Sequence, residues 1–503
     1  MKKLLTIAGL VLFGFFGVRF TNASELLQPT YTPNPTYTPW ETYAPNPTYT
    51  PNPTYTPCIT NTPIPTSTPT PTVTPYPTHT AYPTQTAYPT HTPYPTHTPY
   101  PTQENCWVPT ETPVSPTSTP QASNNVYYVA VNGNDAYPGT IEQPWASVSY
   151  ASAAAKAGDT IYFRDGVYYG QLKPLNSGVS ESWIVFKAYP GEEVTIIDET
   201  FYSRAINIIN TSYIEINGFT AIGAGGEGHA IGIDTSHHIK ILNCTAKDSP
   251  TTGIATAYDL DYIWIEGNTV YGNSNTGSYN GSGISIWNAG GPIYDNAPGY
   301  HIIIRNNLIY DNRNLTDTPT DGNGIILDNN DQDGELFPNT LVANNIIFHN
   351  GGSCIGVLNT SNVDVFNNTC YHNVETERLL EGCRGEITLQ RTYSFQASQN
   401  IRVFNNVAYG RGGTCNSGNS DAFIFQVWGN VDYLSDYNLW FNGWVIDIGL
   451  NDVIEDPLFV YASLDPGIAD FSLLPNSPAI DAGIDVGLPY NGVAPDMGAI
   501  ESD

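Results

Sequence analysis

Basic residues are scarce in this sequence. Its 503 residues hold 17 Lys+Arg against 47 Asp+Glu, for a formal charge of −30. Three of the cations, Lys2, Lys3 and Arg19, stand within the first 19 residues, and none follows until Lys156. From Asn125 onward there are 14 basic and 43 acidic residues, a formal charge of −29. Such a surface repels phosphate backbones and anionic bilayers, which excludes nucleic acid as a partner. Long apolar runs are also missing. The run from Leu4 to Val18 has 15 residues, short of the roughly 20 that a spanning helix needs. CxxC pairs are absent, so the seven Cys give no zinc-site spacing.

What is present divides in two. Of 40 prolines, 25 fall between Pro29 and Pro120, in repeats such as YTPNPTYTP and HTPYPTHTP. Proline fixes φ and removes amide donors, so this tract predicts an extended, core-less stalk over 24–124. Ahead of it, Lys2-Lys3, the apolar run and the small residues Thr21-Asn22-Ala23 predict a cleaved signal peptide over 1–23. The mature chain is then secreted or held at the cell surface, with no membrane insertion.

The remainder is repetitive. IEGNTVYGN, IRNNLIYDN, VANNIIFHN, VFNNTCYHN and VFNNVAYGR align on Asn268, Asn307, Asn345, Asn368 and Asn406, and ILNCTAKDS aligns as an earlier copy through Asn243. The shortest spacing is 23 residues. Between these copies lies a second strand: AIGID, GIATA, GISIW, GIILD, CIGVL and EITLQ. Short alternating strands at this period, with no helix between, predict an all-β right-handed parallel β-helix over 125–450. The aligned Asn predict an internal amide ladder. Cys244 and Cys370 read as buried thiols, and one disulfide is expected among Cys354, Cys383 and Cys415.

The opening YYVAVNGNDAYPGT…AGDTIYFRDGVYYGQL resembles the N-terminal cap of secreted right-handed β-helices of the pectate-lyase-like superfamily, and the Asn-rich coils are similar to that group. DPLFVYA…LPNSPAIDAG…MGAIE resembles the segment that ends many of them, expected here to pack on the helix over 451–503. The resemblance implies a carbohydrate-active protein that takes a polysaccharide and works as a monomer. Fold alone does not choose the chemistry.

Inserted loops flank the GI-type strand on both sides, so its outward side chains form a groove floor. With Ile inward, Asp234, Trp287, Asp328, Glu386 and Gln390 face out. An aromatic plate beside carboxylates suits a sugar, with Trp287, Asp234 and Gln390 as binding residues. The run LDNNDQDGE with Asp321 upstream offers Asp321, Asp328, Asp331, Asp333 and Glu335 as Ca²⁺ ligands. Two chemistries compete. One is β-elimination on a uronate glycan with Ca²⁺ and a basic side chain, Arg384 or Arg391. The other is inverting hydrolysis of a neutral glycan by Asp328 with Glu386 or a loop carboxylate. A third reading is a non-catalytic glycan-binding module. The expectation of first rank is the polysaccharide lyase.

Overall fold

The computed structural model describes residues 125–502, apart from 203, 275–280, 291–293, 296, 317–318, 332–336, 393–397, 414 and 416–421. The signal segment, the stalk, Cys58 and Cys106 lie outside the described residues. No described helix is long and apolar enough to cross a membrane.

Three parallel sheets of eleven, ten and nine strands wind around one lumen, each sheet taking roughly every third strand in chain order. Strands are three to seven residues long in most coils, and the lumen is filled by in-register apolar columns. Ile231, Ile254, Ile284, Ile325, Ile355 and Ile387 form one such column in the third sheet, and all are fully buried. The N-terminal end is closed by the helix Val148–Ala154, whose Ser147 side chain caps the Tyr150 N–H and whose Val148 and Ala151 join the core. After the last coil, the antiparallel pair Phe459–Tyr461 and Asp470–Leu473 folds back and packs Phe459 and Phe471 on Phe348 and Tyr371 of the second sheet.

The expected amide ladder runs through Asn268, Asn307, Asn345, Asn368, Asn406 and Asn438. Each Nδ2 donates to the next Oδ1 at 2.9–3.0 Å, and each side chain also serves backbone groups. Asp452 accepts the last rung, taking Asn438 N–H at 2.8 Å. Asn243 is not a rung. Thr245 pairs with Thr269, so Cys244 occupies the ladder position and its N–H donates to Asn268 Oδ1. Asn243 stands instead at the preceding bend, with φ +51°, where later coils place Gly267, Asn306, Asn344, Asn367 and Asn405. Asn tolerates this left-handed backbone better than other side chains. In the coils that carry an Asn-Asn pair, the first makes the turn and the second makes the ladder.

A second ladder stands five residues on: Asn273, Asn312, Asn350 and Asn373, joined at 2.8–2.9 Å. It ends on Glu386, which accepts Asn373 N–H and Nδ2 at 2.8 Å each. Glu386 is therefore buried, not outward. It occupies the position just before the inward Ile, held by Gly253, Gly283 and Gly324 in earlier coils. A Cβ built on those glycines meets lumen atoms: Val270 Cγ1 at 2.6 Å, Ile309 Cγ2 at 2.8 Å and Ile347 Cγ2 at 2.2 Å. The bend before the strand breaks the alternation that put Glu386 outside.

Of the Cys expectations, Cys383–Cys415 is formed and Cys244 is a buried free thiol. Cys370 is not free. It points into the lumen from the second sheet and bonds Cys354, which precedes the third-sheet strand. Closing a loop of 16 residues is worth about 3 kcal/mol. Replacing Cys354 and Cys370 together with Ala should lower stability by about that amount, measured as the denaturant midpoint against the parent.

Candidate functional site

The third-sheet strands end in one outward column whose register reads Asp234, Ala257, Trp287, Asp328, Leu358, Gln390, Trp428. Asp328 closes the strand Ile325–Asp328, and Asn329 then turns away with φ +54°. Beside Asp328 the loop before the strand brings Asp321, held by Asn323 Nδ2 at 3.2 Å. The loop before the Ile387–Gln390 strand brings Arg384. Its neighbour Cys383 is tied to Cys415, and Arg384 N–H bonds Leu379 O at 3.0 Å, so the arginine backbone is fixed from two sides. Asp321, Asp328, Arg384 and Gln390 line one cavity of about 190 Å³.

Burial sets the electrostatics of this cluster. The Asp328 carboxyl is pushed up to about 7, chiefly by burial and further by the charge of Asp321, with Arg384 opposing. Burial also raises Asp321, against Arg384 and the hydrogen bonds of Asn323 and Thr320. Arg384 is lowered by burial, and the two carboxylates act against that. Asp328 Oδ1 is buried without a hydrogen-bond partner, so a proton on this carboxyl is not committed to the protein. Near neutral pH the cluster offers a carboxylic acid, a second carboxyl group and a guanidinium, all lining one cavity.

Residues 127–292 match the family model described as Pel9A-like, right handed beta helix region. This part of the chain is similar to that family. A stretch of 150 residues is 33% identical to an uncharacterized protein, YwoF, of Bacillus subtilis, covering 28% of this chain and 31% of that one. Pectate lyase PEL9 of Emericella nidulans is 39% identical over 74 residues, 14% of this chain and 18% of that one. The alignments thus span less than a third of either relative. The crystal structure of pectate lyase Pel9A superposes with a TM-score of 0.49 at 19% identity, covering 75% of this chain and 96% of that one.

Other expected site residues of the β-helix lie elsewhere. Arg391 is buried beside Asp331, with Nη1 4.0 Å from Asp331 Oδ2. Asp331 turns inward and accepts from Phe337 N–H, Ser361 N–H and Ser361 Oγ at 2.6–3.1 Å. Asp234 is three strands from Asp328 and is paired with Arg204 at 2.5 Å. Asp333 and Glu335 lie outside the described residues. Among the described carboxylates of the expected Ca²⁺ set, Asp331 has both oxygens engaged. The other two, Asp321 and Asp328, share their cavity with the fixed cation Arg384. These residues do not fit a hard-oxygen cage. Cys354, Cys370 and Glu386 have ligand atoms within 4.8 Å of one another, but the two sulfurs are bonded together, which leaves no thiolate for a metal.

A larger depression, about 560 Å³, lies against the first sheet around Tyr300, Asp364 and Arg402. Its buried carboxylate is saturated: Arg402 donates twice to Asp364, at 2.7 and 2.5 Å, and Tyr300 donates at 2.6 Å. The smaller third-sheet cavity, with its unsaturated Asp328, is the better site for chemistry. Sequence reasoning missed Trp428, which ends the next strand of the same column and is 57% exposed. Its strand reads FIFQVW, without the leading Gly-Ile that marked three of the others.

Proposed function

We propose that the protein is a secreted or surface-displayed glycan-cleaving enzyme, and that it hydrolyses a neutral polysaccharide at Asp328 and Asp321. The observation that carries this reading is Asp328: a cavity-lining carboxyl pushed up to about 7 with a buried, unpartnered oxygen. Hydrolysis of a glycosidic bond needs one protonated and one ionised carboxyl group. Asp328 gives its proton to the departing glycosidic oxygen. Asp321, whose charge Arg384 and the hydrogen bonds of Asn323 and Thr320 favour against burial, takes a proton from the attacking water. Arg384 limits the repulsion that arises once Asp328 is ionised. The leader and the Pro/Thr stalk would hold the domain outside the cell.

The uronate lyase reading takes second place. The 74-residue match to pectate lyase PEL9 and the single guanidinium of Arg384, which could pair a uronate carboxylate, favour it. Two carboxyl groups beside that arginine and a charge of −29 on the body oppose it. Incubation with neutral and uronate polysaccharides decides between them. Hydrolysis is expected to give new reducing ends without ultraviolet absorbance. An absorbing unsaturated product from a uronate chain would reverse the order, and no cleavage of any glycan would leave the binding-module reading in its place.

A further inference from the structure

The outward column of the third sheet carries two large exposed aromatic side chains, one on each side of Asp328. Trp287 is 43% exposed and pairs directly with Asp328 in the strand register. Trp428 is 57% exposed and stands three strands further on, after Leu358 and Gln390. At about 4.8 Å per strand, Trp287 is about 5 Å and Trp428 about 14 Å from Asp328 along the groove, about 19 Å from each other. Tyr258 meets Trp287 edge-on with ring centroids 5.8 Å apart, a contact that limits the swing of the indole. Two exposed indoles in one strand column, on either side of Asp328, offer flat apolar faces to a ligand that runs along the strand ends.

The chemistry between and beyond them narrows the ligand. Leu358 and Gln390 are uncharged. Beyond Trp287, Asp234 is neutralised by Arg204 at 2.5 Å. Among the residues of this column, only Asp328 has a carboxylate without a bound cation. Indole faces attract sugar rings through their CH groups, and a ring presents a flat CH face when its substituents are equatorial. We propose that Trp287 and Trp428 are sugar-stacking platforms on opposite sides of the acid, so that the groove holds the interior of a neutral, equatorially linked polysaccharide and cuts it internally. The internal cut rests on the hydrolase reading above; the platforms do not.

The test uses the full chain carrying Asp328→Asn, in affinity electrophoresis through gels containing β-1,4-linked glucan, mannan or xylan, or polygalacturonate. At least one neutral polysaccharide should retard the protein. Adding Trp287→Ala or Trp428→Ala should weaken that binding about tenfold each, while Trp428→Phe should keep most of it. Oligosaccharides too short to reach both platforms should be sensitive to Trp287→Ala and indifferent to Trp428→Ala. Unchanged retardation of the Trp428→Ala protein overturns the proposal, as does retardation by polygalacturonate alone. The two proposals fail separately. Continued cleavage by Asp328→Asn removes the acid and leaves the platforms. Loss of cleavage with both tryptophans inert to binding does the reverse.

Discussion

Asp328→Asn should abolish glycan cleavage, by about 10³-fold, while leaving the protein folded and more stable at pH 8 than the parent. The first effect is the ordinary worth of a positioned general acid. The second follows from burial. Asp328 sits at about 7 in the folded protein against 3.8 for an ordinary aspartate. Between about pH 4 and pH 7 the folded state therefore holds a proton that the unfolded chain has released. Stability contributed by this group falls as pH rises through that window, and above it the protein carries a buried charge. The amide has no charge to bury, so thermal unfolding of the variant should lack this part of the acid-to-neutral decline. Activity has the same origin: cleavage by the parent should fall as pH rises above about 7, when the acid loses its proton. A variant that cleaves at more than a tenth of the parental rate would falsify the assignment of the acid.

The largest stability effect is expected within a single dipeptide. Asn344 and Asn345 differ by one position and by their whole structural duty. Asn345 accepts from Asn307 N–H and Nδ2 at 3.0 and 2.9 Å, and donates to Ile304 O and Asn368 Oδ1 at 3.0 and 2.9 Å, all in the fully buried interior. Asn345→Ala takes the acceptor from Asn307 N–H and Nδ2 and the side-chain donor from Ile304 O, leaving Asn368 Oδ1 only the Asn345 N–H, and should cost about 3–5 kcal/mol. Asn344 has φ +54° and lies at the bend, where the coil two before carries Gly267. Asn344→Gly should shift the unfolding midpoint by less than about 0.5 kcal/mol, because glycine adopts that backbone freely. Equal losses from both substitutions, measured by denaturant unfolding, would mean that the ladder does not hold the coils together.

This pair also shows what the sequence makes legible. The coil period, the strand that floors the groove and most rungs of the first ladder follow from repeat spacing, since each coil repeats one hydrogen-bonding solution. Asn243 was shifted by one because both the bend and the rung favour the same residue type, and an alignment on Asn alone cannot separate them. The second ladder was missed although it stands at a constant five residues from the first. Of the site, Asp321, Asp328, Arg384 and Gln390 meet in one cavity, as loop length and strand alternation imply. Glu386 went astray because alternation holds only inside a strand, and the residue before it sits in a bend that points to the lumen. Trp428 escaped because its strand has Ile424 and Phe425 where others have Gly and Ile. Lumen volume, not motif, sets that choice.

One consequence of the ladder concerns how the solenoid stops. An asparagine rung is both donor and acceptor, so a column of them has no intrinsic end: each new coil finds a free amide waiting. Asp452 breaks that continuity. Its carboxylate receives Asn438 N–H, Trp440 Nε1 and Gly449 N–H, each at 2.8 Å. A carboxylate offers lone pairs and no proton to pass on. The column is therefore a chain with a terminator, and a second molecule stacking end-on would meet an acceptor already filled. Open strand edges are a standing invitation to fibrous growth; here the rung that ends the coil also declines the next one.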